Sequence, residues 1–557
     1  MTESETPIPT IDFEVDPSAY SHWRLSIEAP VATVEMAVNP ERGLGDYELK
    51  MNSYDLGVDI ELHDIVQRLR FEHPGVKVVV VRGGLDKVFC AGANIQMLAT
   101  SSHQHKVNFC KFTNETRNAL ENASAESGQT WIAAVNGTAA GGGYELALAC
   151  EEIVLIDDRA SAVSLPEVAL LAVLPGTGGL TRLVDKRHVR RDLADAFTTR
   201  TEGVRGQQAV EWGLVDHVAP ASRFEELVAA RVAHHVARSD RPDDAVGVAL
   251  TRLSRTFGDD SLQYRYVTVS IDRELGTAEI VLAGPSSTET PSPAELQSVG
   301  DAGWLLAAAR ELDDALLHLR FNEVEVGTWV LKAVGDVDAV LAHERAIAPD
   351  VGDWLTREVR LLWQRVFKRL DLSARTIVAL IEPGSCFAGM LAELAFAADR
   401  VYMLEGTWHG SGLPAATLVV SDANLGWFTM SNDLTRLQTR FWGRPEALAS
   451  AVELAGKELR ADEALGAELV TFALDDIDWA DEIRLMLEER ASFSPDALSA
   501  MEANFRFVGP ETMETKIFGR LSAWQNWIFQ RPNAVGPSGA LQRFGTGSRP
   551  GYDKQRV

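Results

Sequence analysis

No run of about 18 apolar residues occurs in this 557-residue sequence, so no segment reads as a membrane-spanning helix. The first twenty residues lack both a basic start and an apolar stretch before a small-residue cleavage site, and no secretory signal is expected. Cysteine is scarce. Four thiols (Cys90, Cys110, Cys150, Cys386) spread over this length exclude a disulfide framework and suit a reducing cytoplasm. Positive charge is scarce as well: 53 Lys and Arg against 80 Asp and Glu leave a formal charge of −27, which opposes attraction to nucleic acid or to an anionic membrane. An anionic ligand therefore needs a local cluster of cations and backbone N–H groups. Arg42, Lys50 and Lys87 are candidates, each competing with ordinary surface solvation. What the sequence does hold is apolar content, 46% of its residues, in a chain too long for one core and long enough for two or three domains.

The chain repeats itself. SIEAPVATVEM (26–36) resembles SIDRELGTAEI (270–280), and both read as two short strands joined by a tight turn. ELHDIVQRLRFE (61–72) matches ELDDALLHLRFN (311–322) at six of twelve positions, each on an amphipathic helix that leads into an apolar strand. YELALACE (144–151) corresponds to AELAFAAD (392–399), and LPEVALL (165–171) to LPAATLV (413–419). An offset held between 244 and 252 over separate segments signals duplication rather than shared composition. Each copy reads as a strand hairpin, helix, buried strand, helix, buried strand and helix, an α/β pattern with strands stacked in successive turns. Polar turn residues at 237–262 place the junction, giving a module over 1–255, a second over 256–475 and a helical tail over 476–557. The Gly- and Pro-rich end from Arg531 reads either as an arm held by a partner or as disorder.

Two motifs carry chemistry. KVFCAGANI (87–95) follows the apolar strand VKVVVV, and its small residues let a backbone N–H approach a ligand closely. WIAAVNGTAAGGGYELALACE (131–151) is a strand, a turn, three glycines and a helix, so free N–H groups and the positive dipole end favour an anion. Two loops that each aim one N–H at the same point form an oxyanion hole. A dinucleotide fingerprint fails here, because Leu146 stands where the third glycine of G-x-G-x-x-G belongs. A carboxylate one turn into the helix, at Glu145, and another in SLPEVALL, at Glu167, suit proton transfer beside such a hole. Two close carboxylates in an apolar pocket resist both being charged, which separates a base from an acid. His103, His105 and Cys110 invite a metal reading, but H-x-H-x4-C matches no strong ligand motif and no second pair lies nearby.

FCAGANI, then VNGTAAGGGYELALACE, then LPEVALLAVLPGTGGLTRL together resemble the signature of the crotonase (enoyl-CoA hydratase/isomerase) superfamily, closely over residues 80–185 and more loosely back to about residue 20. The resemblance implies an α/β spiral of ββα turns and a coenzyme A thioester as substrate. It places the oxyanion donors on the backbone N–H groups of Ala93 and Gly142, and the water-activating pair on Glu145 and Glu167. The usual AGAD reads AGAN here, with Asn94 in place of the acid. Cys110 lies on the helix after the first oxyanion loop, which in crotonases walls the acyl pocket. It reads either as a small buried hydrophobe or as a catalytic or substrate-orienting thiol, and not as a covalent nucleophile, since no His partners it at motif spacing.

The second copy keeps Glu393 opposite Glu145, but Ala415 replaces Glu167 and FAGML replaces AAGGG. It is expected to serve structure or dimer contacts, with Glu393 no more than a helix-surface residue. The tandem form with its tail, together with ERGLGDYELK and LKMNSYDLGVDIELHDIVQRLRFEHP, resembles the benzoyl-CoA-dihydrodiol lyases across the whole chain. That resemblance implies 2,3-epoxy-2,3-dihydrobenzoyl-CoA as substrate, two waters consumed, and an unsaturated C6 semialdehyde CoA ester and formate as products. It implies no cofactor beyond substrate CoA, and a homodimer. A plain enoyl-CoA hydratase or isomerase with a decayed second copy is the alternative enzyme. A noncatalytic scaffold, including an RNA binder, is disfavoured by the acidic balance.

Overall fold

Alternating burial builds the first hairpin: Ala32, Val34 and Met36 turn inward along the strand Val31–Met36, which pairs antiparallel with Trp23–Glu28. The strands that follow are apolar on both faces, as in VVVV of Val78–Gly83 and WIAAV of Thr130–Val135, and they pair in parallel with helices covering them. The computed structural model describes residues 10–557, which divide into two compact units with the boundary between Arg252 and Leu253. Among the described residues no helix is long and apolar enough to cross a membrane.

In the first unit six strands run in the order Trp23–Glu28, Val31–Met36, Val78–Gly83, Thr130–Val135, Glu152–Asp157 and His217–Pro220. A smaller parallel sheet lies beside it. Val78–Gly83 leads into its strand Lys87–Cys90, Thr130–Val135 into Gly137–Ala140, and Glu152–Asp157 into Val163–Ser164. A helix follows each short strand, so the chain climbs in ββα turns, the α/β spiral expected from the sequence. Ala93, Gly142, Glu145 and Glu167 each sit just past a strand of this small sheet or on the helix after it, and Cys110 lies on the second helix after Lys87–Cys90.

Two long helices brace that layer. Leu56–Phe71 is capped by the Asp55 carboxylate, which accepts from Gly57 and Val58, and His103–Glu126 by the Ser102 hydroxyl. They are joined by a buried ion pair, Arg117 to Asp59 at 2.7 Å, and removal of one partner of such a pair costs about 3–5 kcal/mol.

The second unit repeats the six-strand order with Val267–Asp272, Thr277–Ala283, Thr328–Val334, Thr376–Ile381, Arg400–Leu404 and Phe472–Leu474, and adds the edge strands Thr256–Gly258 and Ser261–Gln263. Residues 476–557, expected as a separate tail, belong to this unit. Helix Trp479–Ser492 buries Trp479, Ile483 and Met486 on Val330, Val378, Leu380 and Tyr402. Helix Phe224–Val236 does the same in the first unit, with Phe224 and Val228 on Val78, Val80 and Ile132. The C-terminal stretch is likewise tied down within its own unit, against the expectation of an arm or disorder. Asn533 donates to Asp496 at 2.9 Å, Arg556 pairs with Glu502 at 2.7 Å with both side chains 1% exposed, and Arg375 donates to the Val557 carbonyl at 3.1 Å. Such polar anchors leave no trace in hydrophobic periodicity.

Candidate active site

The site forms where two loops of the small sheet meet. Strand Gly92–Ala93 pairs in parallel with Ser53–Tyr54, and the Asn94 N–H donates to the Tyr54 carbonyl at 2.8 Å. Alternation along a strand therefore turns the Ala93 N–H away from Tyr54, toward the second loop. Gly142 opens the helix Gly142–Ala149, where N–H groups have no partner within the helix. The loops touch: a Cβ on Gly92, whose φ is +92°, would lie 2.8 Å from the Ala140 carbonyl and 3.0 Å from the Gly142 nitrogen. Only glycine permits both that φ and that approach. Gly142 is enforced from the other side, since its Cβ would fall 1.9 Å from the Tyr54 hydroxyl, which is buried with no hydrogen-bond partner among the described residues. Asn94, where the resemblance leads one to expect an acid, is held locally. Its Oδ1 caps Met97 at 2.9 Å while its amide donates to the Glu48 carbonyl at 2.9 Å, a bond a carboxylate cannot make.

Glu145 and Glu167 are both brought to this point but in unlike environments. Glu145 is 2% exposed, and three donors hold its carboxylate: the Thr177 N–H at 3.0 Å, the Gly179 N–H at 2.7 Å and the Thr177 hydroxyl. Burial pushes its carboxyl upward, opposed by those hydrogen bonds and by the Arg117 charge. Glu167 begins the helix Glu167–Leu171 just after Val163–Ser164. Its Oε1 lies 2.6 Å from where a Cβ on Gly141 would stand, so it reaches the glycine run, and its Oε2 is buried with no partner among the described residues. Burial, with the Glu145 charge adding to it, lifts the Glu167 carboxyl to about 7. One carboxylate is thus held by three donors, while the other has only its own backbone N–H and an Oε2 with no partner among the described residues, and can trade a proton near neutrality.

Cys110 is half-buried on the helix His103–Glu126, and a Cβ on Gly176 would lie 3.3 Å from its sulfur. It therefore adjoins the loop that holds Glu145. Burial first, then the Glu145 charge, pushes its thiol up to about 11, so it is a neutral thiol rather than a thiolate at physiological pH. Lys50 is paired with Glu48 at 2.9 Å, and Arg42 and Lys87 are exposed. Thr177 and Tyr54 were missed by sequence reasoning. Thr177 lay inside the quoted LPGTGGL, where a hydroxyl amid glycines facing a buried Glu was the available signal.

In the second unit the same positions are closed. Gly389 and Met390 stand where Gly141 and Gly142 do, but the Met390 N–H donates to the Glu344 carboxylate, which burial lifts to about 7. Strand Thr328–Val334 runs directly into the helix Val337–Ala346 that carries Glu344, with no counterpart of the strand and loop at 87–93. Glu393 is not a helix-surface residue: it is 1% exposed, pairs with Arg436 at 2.7 Å and accepts from Asn424 at 2.7 Å. The register of AELAFAAD alone could not distinguish a surface position from a buried ion pair.

Residues 48–275 match the enoyl-CoA hydratase/isomerase family. The benzoyl-CoA-dihydrodiol lyase of Aromatoleum evansii is 51% identical over 549 residues, 98% of each chain. An enoyl-CoA hydratase/isomerase of Bacillus subtilis, strain 168, described as putative, is 36% identical over 30% of this chain and 63% of its own. The crystal structure of an enoyl-CoA hydratase from Bacillus anthracis is 29% identical and covers 38% of this chain and 76% of its own, with a TM-score of 0.33. Full-length identity of this order makes this chain a member of the enoyl-CoA hydratase/isomerase family, in the branch that holds the benzoyl-CoA-dihydrodiol lyases.

Proposed function

We propose that this chain cleaves the ring of 2,3-epoxy-2,3-dihydrobenzoyl-CoA with two waters, giving 6-oxohex-3-enoyl-CoA and formate. The observation that carries the reading is the 51% identity to a benzoyl-CoA-dihydrodiol lyase over 98% of both chains, second unit and tail included. The site's chemistry supports it. Ala93 and Gly142 offer two N–H groups to the thioester oxygen, which gains charge as the ring becomes an enolate. Glu167 takes a proton from attacking water and returns it to the ring, while Glu145 orients that water. Cys110 walls the acyl pocket as a neutral thiol.

Mass spectrometry of the products from the epoxide tests the reading: formate and the C6 semialdehyde CoA ester are expected in equal amounts. Hydration of crotonyl-CoA with no formate from the epoxide would instead assign an enoyl-CoA hydratase.

A further inference from the structure

We propose that Thr177 divides the labour between the two glutamates: its hydroxyl holds Glu145 as the ionised carboxylate of the pair and leaves Glu167 as the group that gains and loses the proton. This rests on the reading of Glu167 as the site's proton carrier and of Glu145 as the carboxylate that orients the water, and Thr177 acts through Glu145 as a positioning residue.

The geometry assigns the roles atom by atom. Oε1 of Glu145 faces two backbone N–H groups, Thr177 at 3.0 Å and Gly179 at 2.7 Å, and an N–H cannot accept a proton from a neutral carboxyl. Protonation there would set hydrogen against hydrogen. Oε2 faces the Thr177 hydroxyl, the one donor of the three that a side-chain substitution removes. The loop cannot swing away to relieve a change. Thr177 is 3% exposed, its carbonyl accepts from Arg182 at 3.0 Å, Arg182 is held by Glu121 at 2.9 Å, and Asn114 donates to the Gly176 carbonyl at 3.1 Å. Glu167 has no such clamp: its Oε2 is buried and bare among the described residues.

The groups that face the pair from the packed elements are Tyr54 from the strand Ser53–Tyr54, Cys110 and Arg117 from the helix His103–Glu126, and Cys90 behind Gly143. Tyr54, Cys110 and Cys90 stay neutral, each pushed upward by burial, while Arg117 stays cationic and favours an ionised Glu145. Glu145 in turn adds its charge to Glu167, whose carboxyl lies at about 7. As water's oxygen bonds to the substrate carbon, the electron pair moves to the thioester oxygen and Glu167 receives one water proton. The same proton leaves Glu167 when the enolate is protonated.

The test is a ¹³C NMR titration of protein labelled at the glutamate carboxyl carbon, without substrate, with Glu145→Gln and Glu167→Gln assigning the two resonances. In the wild type two resonances should titrate near 7: that of Glu344, which both variants keep, and one that vanishes in Glu167→Gln and persists in Glu145→Gln. Thr177→Val should raise the Glu145 midpoint by about one pH unit or more and lower that of Glu167, so that the two approach each other. Thr177→Ser should restore the wild-type order. Turnover of whichever CoA thioester proves to be the substrate should fall more at pH 6 than at pH 8 in Thr177→Val, with kcat lowered more than KM is raised. A wild-type resonance near 7 that belongs to Glu145 overturns the proposal, even if Thr177→Val does not fold. So do unchanged midpoints in a folded Thr177→Val. Because no substrate enters the titration, absence of formate from the epoxide would refute the ring-cleaving reaction alone.

Discussion

The two units share a six-strand order and the helix that bears Glu145 in one and Glu393 in the other, yet the second closes what the first leaves open. In the first, the loop after the strand Lys87–Cys90 comes up to the start of the helix that Gly142 opens, and no side chain caps that helix. In the second that strand is missing, the next helix moves in, and Glu344 occupies the Met390 N–H. Unsatisfied N–H groups at a helix start attract whatever carboxylate the fold allows near them. A ligand site survives there only where other structure keeps the protein's own carboxylates away. The glutamates follow the same logic: Glu393 has a cationic partner in Arg436 that neutralises it for good, whereas Glu167 has none and can titrate.

That contrast can be broken first at the glycine. Gly142→Ala forces the methyl into the Tyr54 hydroxyl and shifts one oxyanion donor, so turnover should fall by about 10²–10³-fold. Met390→Ala, at the matching position of the second unit, should leave kcat within a fewfold. An equal loss in both would place chemistry in both units.

The second break is at Glu393. Glu393→Gln takes a charge from a buried pair, although Arg436 keeps Asp371 at 2.7 Å, so unfolding in denaturant should show a loss of about 1–3 kcal/mol. Specific activity of the folded fraction should hold.

Glu167 should show the opposite sign. Folding raises its carboxyl from an ordinary 4.5 to about 7, so the folded state holds that proton more tightly and stability falls as pH climbs between those values. Glu167→Gln removes that cost. Its thermal unfolding should match the wild type at pH 5 and lie a few degrees higher at pH 8. A destabilised variant at pH 8 would mean Glu167 has a partner in solution.

The smallest effect is expected at Cys110. With its thiol pushed up to about 11, alkylation below pH 9 should be slow, and Cys110→Ser should lower turnover by no more than about tenfold through altered fit in the acyl pocket. An acyl group trapped on this sulfur by mass spectrometry would make it a nucleophile and refute the assignment.

Much of this was legible in the sequence. Alternation in VATVEM, the continuous apolar run VKVVVV and the glycine run at 141–143 each follow from a rule local in sequence, so the hairpin, the buried strand and the N–H site could be read directly. The internal match carried the rest of the first unit into the second. What could not be read depends on partners far apart in the chain. Glu393 meets Arg436 across 43 positions, Glu344 reaches Met390 across 46, and Glu145 finds Thr177 across 32. The same holds for residues 476–557, whose first helix looks like a polar tail until Trp479, Ile483 and Met486 are seen against the sheet.

Single-turnover kinetics on 2,3-epoxy-2,3-dihydrobenzoyl-CoA with Glu145→Gln, Glu167→Gln and Glu393→Gln, beside binding of unreactive benzoyl-CoA, tests the central claim most directly. Each of the first two should slow the reaction by about 10²–10⁴-fold with little change in binding, and together by far less than the product of the two losses. Glu393→Gln should react at the wild-type rate. A near wild-type rate in Glu145→Gln or Glu167→Gln, or a hundredfold loss in folded Glu393→Gln, would contradict the account.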